Sequence, residues 1–428
     1  MIEVSLINTQ ETDDTEFDEW ISTTVVFMRE IIQLQFGPRS NSIGSHVVNQ
    51  LVADRAAGSE SIRHDAMLSG DYPRVIAYDD VRAFRQPVLD LDAEHVTSWT
   101  GKRTVHQVAA STSNNDSFWA DTLRSCCNRL HPRAECHIPS TGTASYRSYT
   151  DMMEDVPELR DNAVDCVRYQ IEKCDSLETI QNIVDVDSGF VGVADFVLQE
   201  VRDEFCSSRQ RMITWTATNP LTTAPSGHHI VNSLIGLSKM YPLSDLIIPD
   251  THQFGCDLKM APAMQALAIH TGSLCYRLAH SSFSSANLIN RVVTNPSLKF
   301  ASLGASLSGP IECQSAVSSS YRIATNAANG IIGVDCSISD STMLPPESPL
   351  APQQPPGAQR ARSSRPVSCS ASAEWTSAEP LHNLITSWAH DMSALRRRDP
   401  SRLLSEYGID SETWEDAAEF YIGLAQEQ

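Results

Sequence analysis

The feature that most constrains the fold of this chain is a repeated change of apolar period, between the two-residue alternation of strands and the ~3.6-residue spacing of helices. Ile32, Leu34 and Phe36 alternate with polar residues and stop at Gly37-Pro38, after which residues 42–52 take helical spacing. The same change recurs downstream. Residues 72–79 read as a strand, 118–129 and 160–172 as helices, and 179–186 as another apolar run. A helix over 194–205 and a strand at Met212-Ile213-Thr214-Trp215 follow. Short strands and helices continue through 232–250 and 263–307, including a strand at 299–303. This rhythm predicts an α/β fold in which a mainly parallel sheet is covered by helices on both faces.

Composition divides the chain further. Residues 1–27 read as an acidic N-terminal extension, expected to be disordered; 28–220 form the first α/β domain, and 221–340 a second, smaller α/β region. Pro345-Pro346, Pro355-Pro356, Arg360, Arg362 and Arg365 mark 341–378 as a Pro/Ser/Arg-rich linker, with too few charges for a lipid-binding run. Within 379–428, Leu384, Trp388, Leu403, Leu404, Trp414, Phe420, Tyr421 and Leu424 fall at helical spacing, predicting two C-terminal helices that dock on the body.

The net charge of −21 opposes a phosphate-backbone surface, so no nucleic-acid partner is expected. No apolar run approaches the ~18 residues that would span a bilayer, and no transmembrane segment is expected. The acidic start, Glu11-Thr12-Asp13-Asp14-Thr15-Glu16, is unlike a signal peptide or an Arg-rich presequence, which points to the cytoplasm. Eleven cysteines without a C-x-x-C unit read as reduced, mostly buried thiols. Cys127, His131, Cys136 and His137 are dense in sequence but fit no standard zinc spacing, and His228-His229 reads as a loop pair; no metal site is expected.

Phosphate-loop, dinucleotide-binding, nucleophile-elbow and H-E-x-x-H motifs are all missing, so no catalytic residue is assigned. One segment is specific. Residues 28–44, M-R-E-I-I-Q-L-Q-F-G-P-R-S-N-S-I-G, resemble the opening of tubulins, whose first strand and loop wrap the nucleotide phosphates. The resemblance is closer still to the Misato family of tubulin-related proteins. It is carried by that opening, by Asn49-Gln50, Trp99, Gly101-Lys102 and Leu130-His131-Pro132-Arg133, and further on by Asp187-Ser188-Gly189-Phe190, Asp203-Glu204-Phe205 and Ile213-Thr214-Trp215. Over 28–310 and 379–427 it implies a tubulin/FtsZ-like fold, with vestigial phosphate loops at Gly37, Asn41 and Gly44 and at Gly189 and Gly192.

The departures from the tubulin pattern weigh against that site. Pro38 stands for a phosphate-side glutamine, Arg39 for cysteine and Ser40 for glycine, and of the second loop's glycines only Gly192 matches. Proline removes an N–H donor and Asp187 would bring negative charge beside phosphates, although Arg39 would compensate in part. Between Phe254 and Pro262 there is no counterpart of the acidic loop that completes the tubulin active site. The expectation is a protein without a cofactor, binding GTP weakly or not at all, and not an enzyme.

The resemblance implies a regulator of mitochondrial distribution, morphology or fusion, cytoplasmic and peripheral to the mitochondrial outer membrane. Its implied partners are outer-membrane or cytoskeletal proteins, with tubulin among the candidates. The alternatives are a GTP-binding switch of the tubulin superfamily and a microtubule- or spindle-associated module.

Overall fold

The computed structural model describes residues 29–58, 62–80, 83–84, 119–124, 130–138, 149, 157–207, 209–218, 227–250, 261–278, 283–293, 298–308, 321–326, 333–338, 341–344, 367–376, 379–397, 405 and 407–426. The acidic extension 1–27, the Trp99 and Gly101-Lys102 landmarks, Cys127, the 254–260 loop, the centre of the expected linker, and Leu403 and Leu404 lie outside them.

The first half alternates as its periods require. In order come β1 (Glu30–Phe36), α1 (Pro38–Ala56), a small hairpin of β2 (Leu68–Ser69) and β3 (Tyr72–Pro73), and β4 (Val75–Asp80). Next are α2 (Trp119–Arg124), β5 (Glu135–Ile138), α3 (Pro157–Ile171), β6 (Leu177–Asp185) and α4 (Phe190–Glu204). β7 (Arg211–Ala217), α5 (Gly227–Leu243), β8 (Leu246–Ile248), α6 (Ala261–Arg277) and α7 (Ser285–Val292) complete this part. Six strands form one sheet in the order β5-β4-β1-β6-β7-β8, and every pairing in it is parallel.

Strand period decides which layer each side chain joins. Ile32, Leu34 and Phe36 pack with Ile180 and Val184 against α3, α4 and α5, whereas Ile31 packs with Ile183 and Ile213 against α1 and α6. Helices therefore cover both faces of the sheet, as its rhythm predicts.

Strand order reverses between β1 and β6, which lie side by side with Phe36 opposite Val184. In open α/β sheets such a switch point leaves a crevice at the carboxyl ends of the two strands, where ligands bind.

Helix α1 starts at Pro38, earlier than the expected residue 42. Proline suits the first turn, where its fixed φ fits and no helical N–H is required of it. His228 and His229, read from sequence as a loop pair, open α5.

The chain beyond 300 departs further from expectation. The second sheet is antiparallel and is built from β9 (Ser302–Ser308), β10 (Tyr321–Asn326), β11 (Gly333–Ile338), β12 (Ser341–Leu344) and β13 (Val367–Thr376). The expected linker 341–378 thus contains two strands at its ends. β13 sits between β9 on one side and β11 and β12 on the other, so its backbone N–H and C=O groups find ladder partners. Trp375 of β13 is fully buried, its ring 5.4 Å from that of Trp215 and its Nε1 donating to the Gly272 carbonyl of α6 at 3.3 Å.

The chain ends in α8 (Glu379–Arg396) and α9 (Ser411–Gln426). Ile385, Met392, Leu395, Trp414, Tyr421 and Leu424 join the core that holds α5 and one face of the parallel sheet, and the Tyr421 hydroxyl donates to the Leu234 carbonyl at 2.9 Å.

Candidate anion site at the start of α1

The crevice at the switch point is bounded by Gly37 at the end of β1 and Asp185 at the end of β6. Gly37 has φ +102°, outside the range that side-chain-bearing residues favour, and its N–H donates to the Tyr78 carbonyl at 3.0 Å. This turn aims the first N–H groups of α1 at the crevice. Free N–H groups and the helix dipole make such a start a ready anion site.

A carboxyl group already occupies those donors, and it belongs to the chain. The Asp185 carboxylate accepts from the Arg39 N–H at 2.9 Å, from the Ser40 N–H at 2.7 Å and from the Ser40 hydroxyl at 2.6 Å. It fills the space a side chain at Gly37 would need, since a Cβ there would come within 2.4 Å of Asp185 Oδ2. Burial pushes the Asp185 carboxyl up to about 7, against the lowering bond from Ser40, and the nearby Asp187 charge adds to the rise.

The other expected site residues serve packing and local turns. Asn41 turns inward, its Nδ2 donating to the Tyr78 carbonyl at 3.1 Å and to Asp79 Oδ2 at 2.9 Å. Asp79 also accepts from Trp119 Nε1 at 2.8 Å, and burial pushes its carboxyl up to about 6. Gly44 lets α1 lie against β1, because a Cβ there would stand 2.0 Å from Gln35 Nε2. Gly189 caps α4 with ordinary helical angles, and the Gly192 N–H donates to its carbonyl at 3.0 Å. Gly37 and Gly189 therefore open from adjacent strand ends, but the second loop continues straight into helix. The Arg39 guanidinium points away from the donors and reaches Gln265 Oε1 of α6 at 3.1 Å.

A phosphate group does not fit these residues. It would have to displace the Asp185 carboxyl from the Arg39 and Ser40 donors, and once that carboxyl loses its proton its charge would repel the phosphate. Beside the donors lies an apolar crevice of about 350 Å³, its open mouth included, lined by Ile43, Ile183, Trp215, Asp250 and Gln265 among others.

Asp185 escaped the sequence reading, which weighed Asp187 instead. Its signal was an acidic residue closing the apolar run of β6, and its role depends on the β1–β6 register.

Among the described residues no three His, Cys, Asp or Glu side chains gather as a metal ion would require. His131, Cys136 and His137 diverge. His131 Nε2 shares a 3.0 Å hydrogen bond with the Tyr169 hydroxyl, Cys136 is buried, and the exposed His137 stacks on Phe84.

No family model matches the chain. It is 24% identical over 193 residues to protein misato homolog 1 of Mus musculus, covering 42% of this chain and 34% of that relative. Against protein DML1 of Gibberella zeae it is 22% identical over 320 residues, covering 61% of this chain and 63% of the relative. With protein misato of Drosophila melanogaster it shares 29% identity over 103 residues, 22% of this chain and 17% of the relative. The chain thus spans about a third of the mouse relative and under two-thirds of the fungal one. The chain is thus similar to proteins named misato in a mammal and an insect and to DML1 in a fungus, as the resemblance of its opening segment to the Misato family implies.

Proposed function

We propose that this chain is a non-catalytic α/β scaffold whose nucleotide crevice is filled by its own side chain. We further propose that it acts, as the Misato resemblance implies, in mitochondrial distribution and morphology from the cytoplasmic side of the outer membrane. The observation that carries the first part is the Asp185 carboxylate on the Arg39 and Ser40 donors at the start of α1. A scaffold of this kind works through surfaces presented to outer-membrane or cytoskeletal proteins. No helix among the described residues is long and apolar enough to cross a membrane, which supports peripheral attachment.

Calorimetric titration of the full chain with Mg-GTP should give no saturable heat, and phosphate release should stay at the buffer rate. Saturable binding with turnover would favour the GTP-switch reading. For the cellular part, removal of the protein should redistribute mitochondria and re-expression should restore them. An unchanged mitochondrial network would sink that part alone.

A further inference from the structure

The apolar crevice beside the Asp185 donors is walled by buried side chains from five elements: Ile43 of α1, Ile183 of β6, Ile248 of β8, Ile269 of α6 and Leu303 of β9. It lies at the carboxyl ends of the strands near the switch point, where open α/β sheets take their ligands. A concave, mostly apolar site with a few polar groups is the usual form of a small-molecule pocket.

Most of those polar groups are already committed. Gln265 Oε1 accepts from the Arg39 guanidinium at 3.1 Å. The Asp250 carboxylate accepts from the Thr218 N–H at 3.3 Å and from its hydroxyl at 3.0 Å, and the Thr216 hydroxyl accepts from the Asp250 N–H at 2.8 Å. Trp215 is different. It lines the crevice and is 4% exposed, yet its indole N–H has no hydrogen-bond partner among the described residues. The Trp375 indole, its ring only 5.4 Å away, donates to the Gly272 carbonyl. A buried donor without an acceptor is costly, and burial alone does not account for it.

We propose that this crevice binds a small uncharged organic molecule, one ring in size, whose oxygen accepts a hydrogen bond from the Trp215 indole N–H. The apolar walls favour an apolar body, and the unpaired donor calls for one acceptor on it. A cation has no lone pair to offer the indole, and an anion would face Asp250. Size sets the other limit. The crevice measures about 350 Å³ with its open mouth included, which is the small end of the range for ligand pockets. The inference rests on the filled-crevice reading, since Asp185 leaves only the apolar part of the crevice to a ligand.

The test uses the full chain labelled with nitrogen-15 at its tryptophan indoles, with cyclohexanone as the probe. Methylenecyclohexane, of the same shape but with a CH2 group in place of the oxygen, is the control. Trp215→Phe identifies the Trp215 signal by its loss. Cyclohexanone should move that indole proton downfield and saturate, while the signals of Trp119 and Trp414, which pack in other clusters, stay in place. Methylenecyclohexane can enter but cannot accept, and should give no downfield shift. Ala268→Leu, which adds bulk to the wall, should lose the cyclohexanone shift with the other indole signals kept; if that variant fails to fold, the comparison of the two probes on the natural chain decides. A Trp215 signal that does not move, moves without saturating, or moves equally with both probes would overturn the proposal. Mg-GTP binding is read separately by its heat, so failure of the Asp185 reading, with GTP bound, is told apart from failure of this one, with cyclohexanone refused.

Discussion

Asp185 links the site to pH. Its carboxyl titrates near 7 in the folded chain against an ordinary 3.8, so between about pH 4 and pH 7 the folded state holds a proton that the unfolded state has released. Stability from this group is therefore full below about pH 4 and lost as pH rises through 7. Asp79, pushed up to about 6, acts in the same sense. Urea unfolding should show stability falling from pH 4 to 7, and falling less steeply in Asp185→Asn; equal slopes would remove Asp185 from the account. Gly44 offers a second residue-scale check. A Cβ there would collide with the buried Gln35 amide, so Gly44→Ala should lose about 1–3 kcal/mol, with part of it recovered in Gly44→Ala/Gln35→Ala. Gly37, Asn41 and Gly44 were legible as a cluster because their spacing spans one strand–turn–helix. What each does was not, because Asp185, Asp79 and Gln35 reach them from other strands or across the helix–sheet contact.

At the level of elements, β1, β4, β6, β7 and the helices α1, α3 and α4 were readable from period, whereas the short edge strand β5 was not. β12 and β13 were not. Their neighbours are rich in proline and serine, and what makes β13 a strand is pairing on both edges, which local sequence does not display. Helix α9 shows the opposite case, a start written in the sequence. The Asp410 carboxylate accepts from the Thr413 N–H and the Thr413 hydroxyl, both at 2.7 Å, and these bonds hold its carboxyl below the ordinary range. Asp410→Ala should cost about 0.5–2 kcal/mol in thermal unfolding, whereas Asp410→Asn should retain most of that. Equal losses in both variants would mean that the cap is not what the aspartate supplies.

Across the whole molecule, α6 is the shared wall between the sheets, packing on α1 at one side and on β9 and β13 at the other. Trp375 is the peg of that joint. Trp375→Ala should cost about 3–5 kcal/mol by denaturant titration, and the loss should be cooperative, visible in both near- and far-ultraviolet dichroism. A local loss confined to the antiparallel sheet would mean that the two sheets melt separately. The Asp185 carboxylate reaches further than its own site. Proteins that bind nucleotides are stabilised by mass action, so their melting points rise with ligand supply. Here the occupant is tethered to the strand beside its donors, a carboxyl group at a fixed local concentration. The melting point should be the same with or without millimolar Mg-GTP, and the supply of this scaffold in the cell would be insulated from swings in the energy charge that nucleotide-dependent relatives of the fold must follow.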